Sequence, residues 1–445
     1  MLTSPQTAPS ADLPIDRIGS AFYVIWIGQF VSMMGTMLTS FALGVWLFQR
    51  TGSVLDFANL TLFSTLPALL LMPFAGSVAD RFDKRTILIA GEAVALACTG
   101  IMALLFWSGR FEVWQLFALQ TVMSISMAFQ GPAAYAAISS LVPKSQFGRA
   151  SGMFQISSAV SQLAAPLIAA SVLGAIGITG IVLIDTLTFS VALLGIVLAR
   201  FPAVARKSAE AAKARRGAFQ DLRWAFNFLR ERPTVAALYG YTSVSAFLSG
   251  MVTVLISPMV LSNYSAQVLA WVTTCGGVGV LCGGLLMVAW GGPKSWTPHV
   301  LAFNLVQGVT IAYAGISNSV AVLCAGAFIV MFSSTALAGC MAGVWRRKVP
   351  RERQGSFGAL QQAVGLSVIP LSAVLGGTLA HYLFEPALLS GGIWFDSIGA
   401  WFGQGKGRGT GFLFFVVGMT GAAVALFSLS HRRLYTLDTD VKDAI

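Results

Sequence analysis

Apolar residues in this chain fall into long blocks separated by short polar stretches, with no period-2 alternation. Blocks occupy 22–48, 57–79, 86–107, 113–139, 150–173, 179–199, 234–261, 266–290, 298–316, 319–345, 356–383 and 411–430. About 20 mostly apolar residues in a helix cross the hydrocarbon core of a bilayer. Lipid offers no partners to backbone N–H and C=O groups, so each block must close its own hydrogen bonds as a helix. The pattern therefore predicts an all-α membrane protein with twelve transmembrane helices. The first block is far longer than the roughly 7–15 apolar residues of a signal peptide, and it follows a polar stretch with Pro5, Pro9, Asp12, Pro14, Asp16 and Arg17. It is read as the first spanning helix.

Composition agrees. Of 445 residues, 56% are hydrophobic and only 10% charged, against about 25% charged in soluble domains. The charge of +11 gains meaning from its placement. With the first terminus inside, 24 of the 28 Lys and Arg residues fall in inner segments, and only Arg50, Arg110, Lys406 and Arg408 fall outside. That asymmetry predicts both termini in the cytoplasm. Attraction to anionic inner-leaflet lipid accounts for the rest of the charge, so no nucleic-acid partner is expected.

The twelve blocks divide six and six. The expected organisation is a cytoplasmic tail 1–20, a six-helix bundle 21–200, a cytoplasmic linker 201–233, a second bundle 234–430 and a cytoplasmic tail 431–445. The linker is strongly basic, and Phe219, Leu222, Phe226 and Leu229 form one helical stripe within it. A short amphipathic helix on the cytoplasmic face is expected there. A weak repeat links the halves: Val142-Pro143, Gly152, Gln155 and Pro166 are echoed by Val349-Pro350, Gly358, Gln361 and Pro370. Duplicated bundles related by pseudo-two-fold symmetry are a mark of secondary transporters.

The loop between the second and third blocks carries Gly76, Asp80, Arg81, Lys84 and Arg85. It resembles the signature loop of the major facilitator superfamily, and the resemblance extends over the whole chain as twelve helices. It implies a gating role for Asp80 and Arg81; the alternative is that the cations only set topology. The matching later loop, 290–294, lacks the acid and the Arg. Finer features resemble the bacterial drug-, macrolide- and siderophore-exporting branch: Gly28-Gln29, Ser32 and Gly35; Thr51-Gly52-Ser53; Asp185 to Phe189; Asp221 to Leu229; and the long loop 385–410. In the fifth block, Ala165, Pro166, Ala169 and Ala170 stand where exporters of the superfamily often carry a Gly-Pro-x-x-Gly-Gly packing motif. Small residues there keep close helix packing.

Intramembrane acids are costly and point to function. Asp185 and Glu92 are the candidates for proton coupling, with structural hydrogen bonding as the alternative. The cavity helices implied by the resemblance offer Gln29, Met33, Phe63, Gln120, Gln155, Gln361 and Gln362 as candidate substrate contacts, together with Gln130, Gln162, Tyr239 and Tyr241. Amides with apolar and aromatic walls suit a large amphipathic substrate. The five cysteines and three histidines are scattered, so neither a metal site nor a disulfide framework is expected. No GxxxxGK[ST] or GxSxG motif is present, so neither ATP-driven transport nor an enzyme is expected, and no cofactor is implied. The expectation is a monomeric, proton-coupled antiporter of the bacterial inner membrane, exporting small organic molecules by alternating access, with protons and membrane lipids as its other partners. An uptake symporter, a lysophospholipid flippase, and a non-transporting scaffold or receptor are the alternatives.

Overall fold

In the computed structural model, residues 18–143, 146–198, 223–293, 295–350 and 353–430 are described, apart from the side chains of 73–81, 132, 135–140, 148, 355, 359, 429 and 430. The predicted twelve spans appear as helices. The first four are α1 (Ser20–Thr51), α2 (Val54–Arg81), α3 (Lys84–Trp107) and α4 (Val113–Leu141). A continuous run, Phe147–Leu198, is broken at Gly177, whose φ of 66° and ψ of −179° are not helical. A residue with a Cβ rarely adopts that φ, so glycine permits the sharp reversal. The parts before and after it are α5 and α6. The second half contains α7 (Pro233–Leu261), α8 (Ala266–Trp290), α9 (Trp296–Ile316), α10 (Val320–Lys348), α11 (Gln354–Leu379) and α12 (Arg408–Ser430). α11 runs on through a π-helical stretch, Ala380–Phe384, and a last helical turn, Glu385–Leu388, and one short helix, Gly399–Phe402, stands in the loop before α12.

Of the linker stripe, Phe219 and Leu222 lie outside the described residues. The described part forms a helix over 223–231. Its phase differs from the expected one: Ala225 and Phe228 are buried with Trp224 and Leu229 against α7, α10 and α11, while Phe226 is 66% exposed. Phe228 packs edge-on to Phe357 and beneath Arg232, and those contacts select the inward face.

Each half is a bundle. In the first, α1 packs along the Phe147–Leu198 run, and α4 packs on α2 and α3. In the second, α7 pairs with α11, α8 with α10, and α9 with α12. Small residues let these helices touch. A Cβ on Gly315 would lie 2.3 Å from the Gly411 carbonyl oxygen, and one on Gly308 2.8 Å from that of Gly418. In lipid, such backbone proximity supplies the dispersion contacts that hydrophobic burial supplies in water.

The two halves meet through α2 with α11 and α5 with α8. One apolar cluster joins them at the end holding the α1–α2 turn. It contains Val45, Phe48, Val54 and Ala58 from the first half, with Met251, Leu255, Leu269 and Phe384 from the second. The other end carries Lys84, Arg85, Arg346, Arg347 and Lys348, and is called the basic end here. Among the described residues, the buried apolar clusters near the basic end stay within one half. The bundle is closed at the turn end by this shared cluster.

Candidate functional site

A cavity of about 320 Å³ lies between the halves, beneath the cluster that closes the turn end. Val272, Ile311 and Phe414 belong to both, so the closing cluster forms the cavity's floor. Among the described residues, the first half contributes Met37, Ser161, Gln162 and Pro166. The remaining walls come from α7 to α10 and α12. Among the described residues, none that lines it is charged. Its polar groups are hydroxyls and one amide: Ser161, Gln162, Thr253, Ser257 and Thr273. Thr253 and Thr273 donate their protons within their own helices, to Ser249 O at 3.0 Å and Leu269 O at 2.9 Å. Their lone pairs therefore remain to accept from a ligand. Ser161 is fully buried and its Oγ has no hydrogen-bond partner, an unmet bond that a ligand or water can supply. A larger, more open groove of about 480 Å³ between α7 and α11 uses the second half alone.

The acids lie elsewhere, inside the first half. Gln29 Nε2 on α1 donates to Glu92 Oε1 on α3 at 2.8 Å, and Glu92 is only 3% exposed. Two predicted site residues are thus each other's partner. Gln130 lies over Gly91, where a Cβ would meet its side chain at 2.3 Å, and it donates to Ser126 at 3.1 Å. Asp185 on α6 is 1% exposed. Thr188 Oγ1 donates to the Asp185 carbonyl at 2.8 Å and reaches its Oδ1 at 3.4 Å. Across from them is Gly35 of α1, where a Cβ would stand 2.3 Å from Thr188 Oγ1 and 2.8 Å from Asp185 Oδ1. Gln29 and Gly35 are six residues apart on α1, so the two acids sit about 9 Å apart along it.

Residues 25–373 match the family described as Major Facilitator Superfamily. The chain belongs to the major facilitator superfamily. Macrolide efflux protein A of Streptococcus pyogenes is 23% identical over 367 residues, covering 81% of this chain and 89% of that protein. The uncharacterized MFS-type transporter YfiS of Bacillus subtilis is 25% identical over 383 residues, covering 83% and 89%. Among solved structures, a bacterial homologue of the human lysosomal transporter Spinster, inward-facing and unoccupied, superposes with a TM-score of 0.66 at 17% identity, covering 94% of this chain and 97% of that one. A POT family transporter in complex with 5-aminolevulinic acid gives 0.67 at 12% identity, covering 95% and 99%.

The superfamily motif falls at the junction of α2 and α3. The side chains of Gly76, Asp80 and Arg81 lie outside the described residues. Lys84 opens α3, and Arg85 Nη2 donates to the Val197 carbonyl at the end of α6. In the packing motif, Ala165 and Ala169 are fully buried against Leu38, Ala42 and Ile181. Ala170 is half-buried, and Pro166 reaches the cavity.

Of the candidate substrate residues, Gln29, Met33, Phe63, Gln120, Gln155, Gln361 and Gln362 line other surfaces than the 320 Å³ cavity. Gln155 and Gln362 are exposed, while Met33, Gln120 and Gln361 are half-buried. Phe63 stacks on Phe117, with ring centroids 5.1 Å apart. Tyr239 packs on Trp345 and Phe357, and Tyr241 is buried in the second bundle. Gln162 alone among the weighed glutamines lines the cavity. The hydroxyls of Ser161, Thr253, Ser257 and Thr273 were not foreseen, nor were Asn304 and Gln307, which are buried in α9 with Gln307 Nε2 donating to Ser334 Oγ at 2.7 Å.

Proposed function

We propose that this chain is a proton-coupled antiporter that exports small amphipathic organic molecules by alternating access. The carrying observation is the uncharged, largely apolar cavity between the halves. Its walls desolvate a ligand of drug size, and its hydroxyls and amide orient that ligand. Acids buried in the adjacent half, Glu92 and Asp185, supply protonatable groups away from the ligand. Binding and release of a proton at either changes a charge that its surroundings solvate poorly, and that is a physical drive for rearranging the bundle. Gln29 orients the Glu92 carboxyl, and Asp80 and Arg81 serve the gate at the basic end. The relative named for macrolide efflux supports the export direction and makes a macrolide a natural first probe.

The basic end faces the cytoplasm in this reading, with both termini inside and the protein working as a monomer in a bacterial inner membrane. The described conformation is then closed on the side away from the cytoplasm. The domain limits are 21–200 and 234–430 for the two bundles, with 201–233 as the strap between them. An untargeted comparison of cells and medium, between a strain lacking the chain and its complemented parent, tests the function. Export predicts a compound, or an added macrolide, that accumulates inside the deficient cells and declines in their medium. A compound left unconsumed in the medium of the deficient strain reverses the direction.

A further inference from the structure

The seam between α8 and α10 carries sulfur chemistry that transport leaves unused. The two helices run parallel, and their backbones touch where α8 has glycine. A Cβ on Gly279 would lie 2.3 Å from the Phe328 carbonyl oxygen, and one on Gly283 2.7 Å from that of Phe332. Both pairs span the same separation in sequence. One turn back along the seam, that separation sets Cys275 opposite Cys324, near enough for the two thiols to influence each other. Both are free and half-buried. Met331 packs over the adjacent Gly276, so the surroundings are apolar and polarizable.

Among the described residues, no three His, Cys, Asp or Glu side chains come together. The pair is therefore two ligands short of the tetrahedral set that zinc takes. A closed-shell, thiophilic cation satisfied by two sulfurs in line fits it instead. With a divalent ion, two thiolates give a neutral unit, which apolar surroundings accept where a net charge would be costly. We propose that Cys275 and Cys324 form a dithiol site for a soft, two-coordinate metal cation, of which Hg(II) is the probe. Binding breaks two S–H bonds, forms two S–metal bonds and releases two protons to water, with no change of oxidation state. The sequence neighbours Gly276 and Leu323 line the central cavity, so the bridge clamps two helices of its wall.

The test uses the full-length chain in detergent with Cys98, Cys282 and Cys340 changed to Ser, leaving the pair. Mercuric chloride is added at one ion per chain, and the protein is gel-filtered in a buffer containing a monothiol. Bound metal is counted by elemental mass spectrometry and free thiols by maleimide labelling. The proposal expects one retained ion and protection of both thiols. Adding Cys275→Ser or Cys324→Ser leaves a single S–Hg bond, which the monothiol exchanges, so the ion is lost. Retention of the ion in either one-thiol variant, or two maleimide-reactive thiols beside one bound ion, overturns it. Should the triple variant misfold, the same count on the otherwise native chain with and without Cys275→Ser gives the answer as a difference of one tightly held ion.

Discussion

Gly377 on α11 faces Ala58 on α2 at the end where the two halves close. A Cβ on Gly377 would stand 2.4 Å from the Ala58 Cβ, while Leu55 Cδ1 at 3.7 Å is comfortable. Carbon atoms pack best at about 3.5–4.0 Å, so Gly377→Ala requires the helices to separate by roughly 1–1.5 Å there. Overpacking of this kind costs about 1–3 kcal/mol. The cost falls only on the conformation in which α2 and α11 touch at the turn end. Alanine's helix propensity, worth about 1 kcal/mol over glycine, is the same in both conformations and cancels from their ratio. The substitution therefore moves the equilibrium toward the conformation open at the turn end by about 5- to 150-fold. Spin labels at Glu112→Cys and Ser319→Cys, both exposed near the turn end on opposite halves, report it in a chain whose five native cysteines are serine. Pulsed dipolar distances should gain a longer population in Gly377→Ala. An unchanged distribution would refute the claim that this contact holds the end closed.

Other substitutions probe the remaining parts. Asp80→Asn should insert normally, judged by membrane yield, yet lose most turnover; full turnover would remove Asp80 from the gate. Glu92→Gln keeps a hydrogen-bonding partner for Gln29 but cannot release a proton, so gradient-driven transport should fail while substrate exchange at equal pH survives. Loss of both activities together would make Glu92 structural. Gly35→Ala places a methyl into the Thr188 hydroxyl and the Asp185 carboxyl, and should destabilise the first bundle by about 1–3 kcal/mol, read as a lower Tm in detergent.

The fold was legible because lipid makes each span a long apolar block, and the block limits follow the helices closely; the break foreseen between 173 and 179 is the reversal at Gly177. The site was much less so. In water, the polar face of a helix marks its outside, but here lipid and core are both apolar, so the sequence period does not reveal which face looks inward. The sequence singles out glutamines because amides can orient an amphipathic ligand, yet Gln29 is held by Glu92. The cavity hydroxyls of Thr253 and Thr273 are inconspicuous because they bond within their own helices. The linker stripe is out of phase at Phe226 because the inward face is chosen by Phe357, far away in sequence, and by Arg232, one turn beyond Phe228. Glu92 and Asp185 were visible as intramembrane acids, though their surroundings, Gln29 and Gly35, required the three-dimensional pairing of α1 with α3 and α6.

The most direct measurement is transport into sealed inverted vesicles carrying the purified chain, with an acidic lumen imposed and a macrolide and a neutral amphipathic dye as probes. Proton-coupled export predicts accumulation of at least one probe that grows with the gradient, collapses on adding an uncoupler and is abolished by Glu92→Gln. Accumulation that is indifferent to the gradient and to the uncoupler would contradict the account.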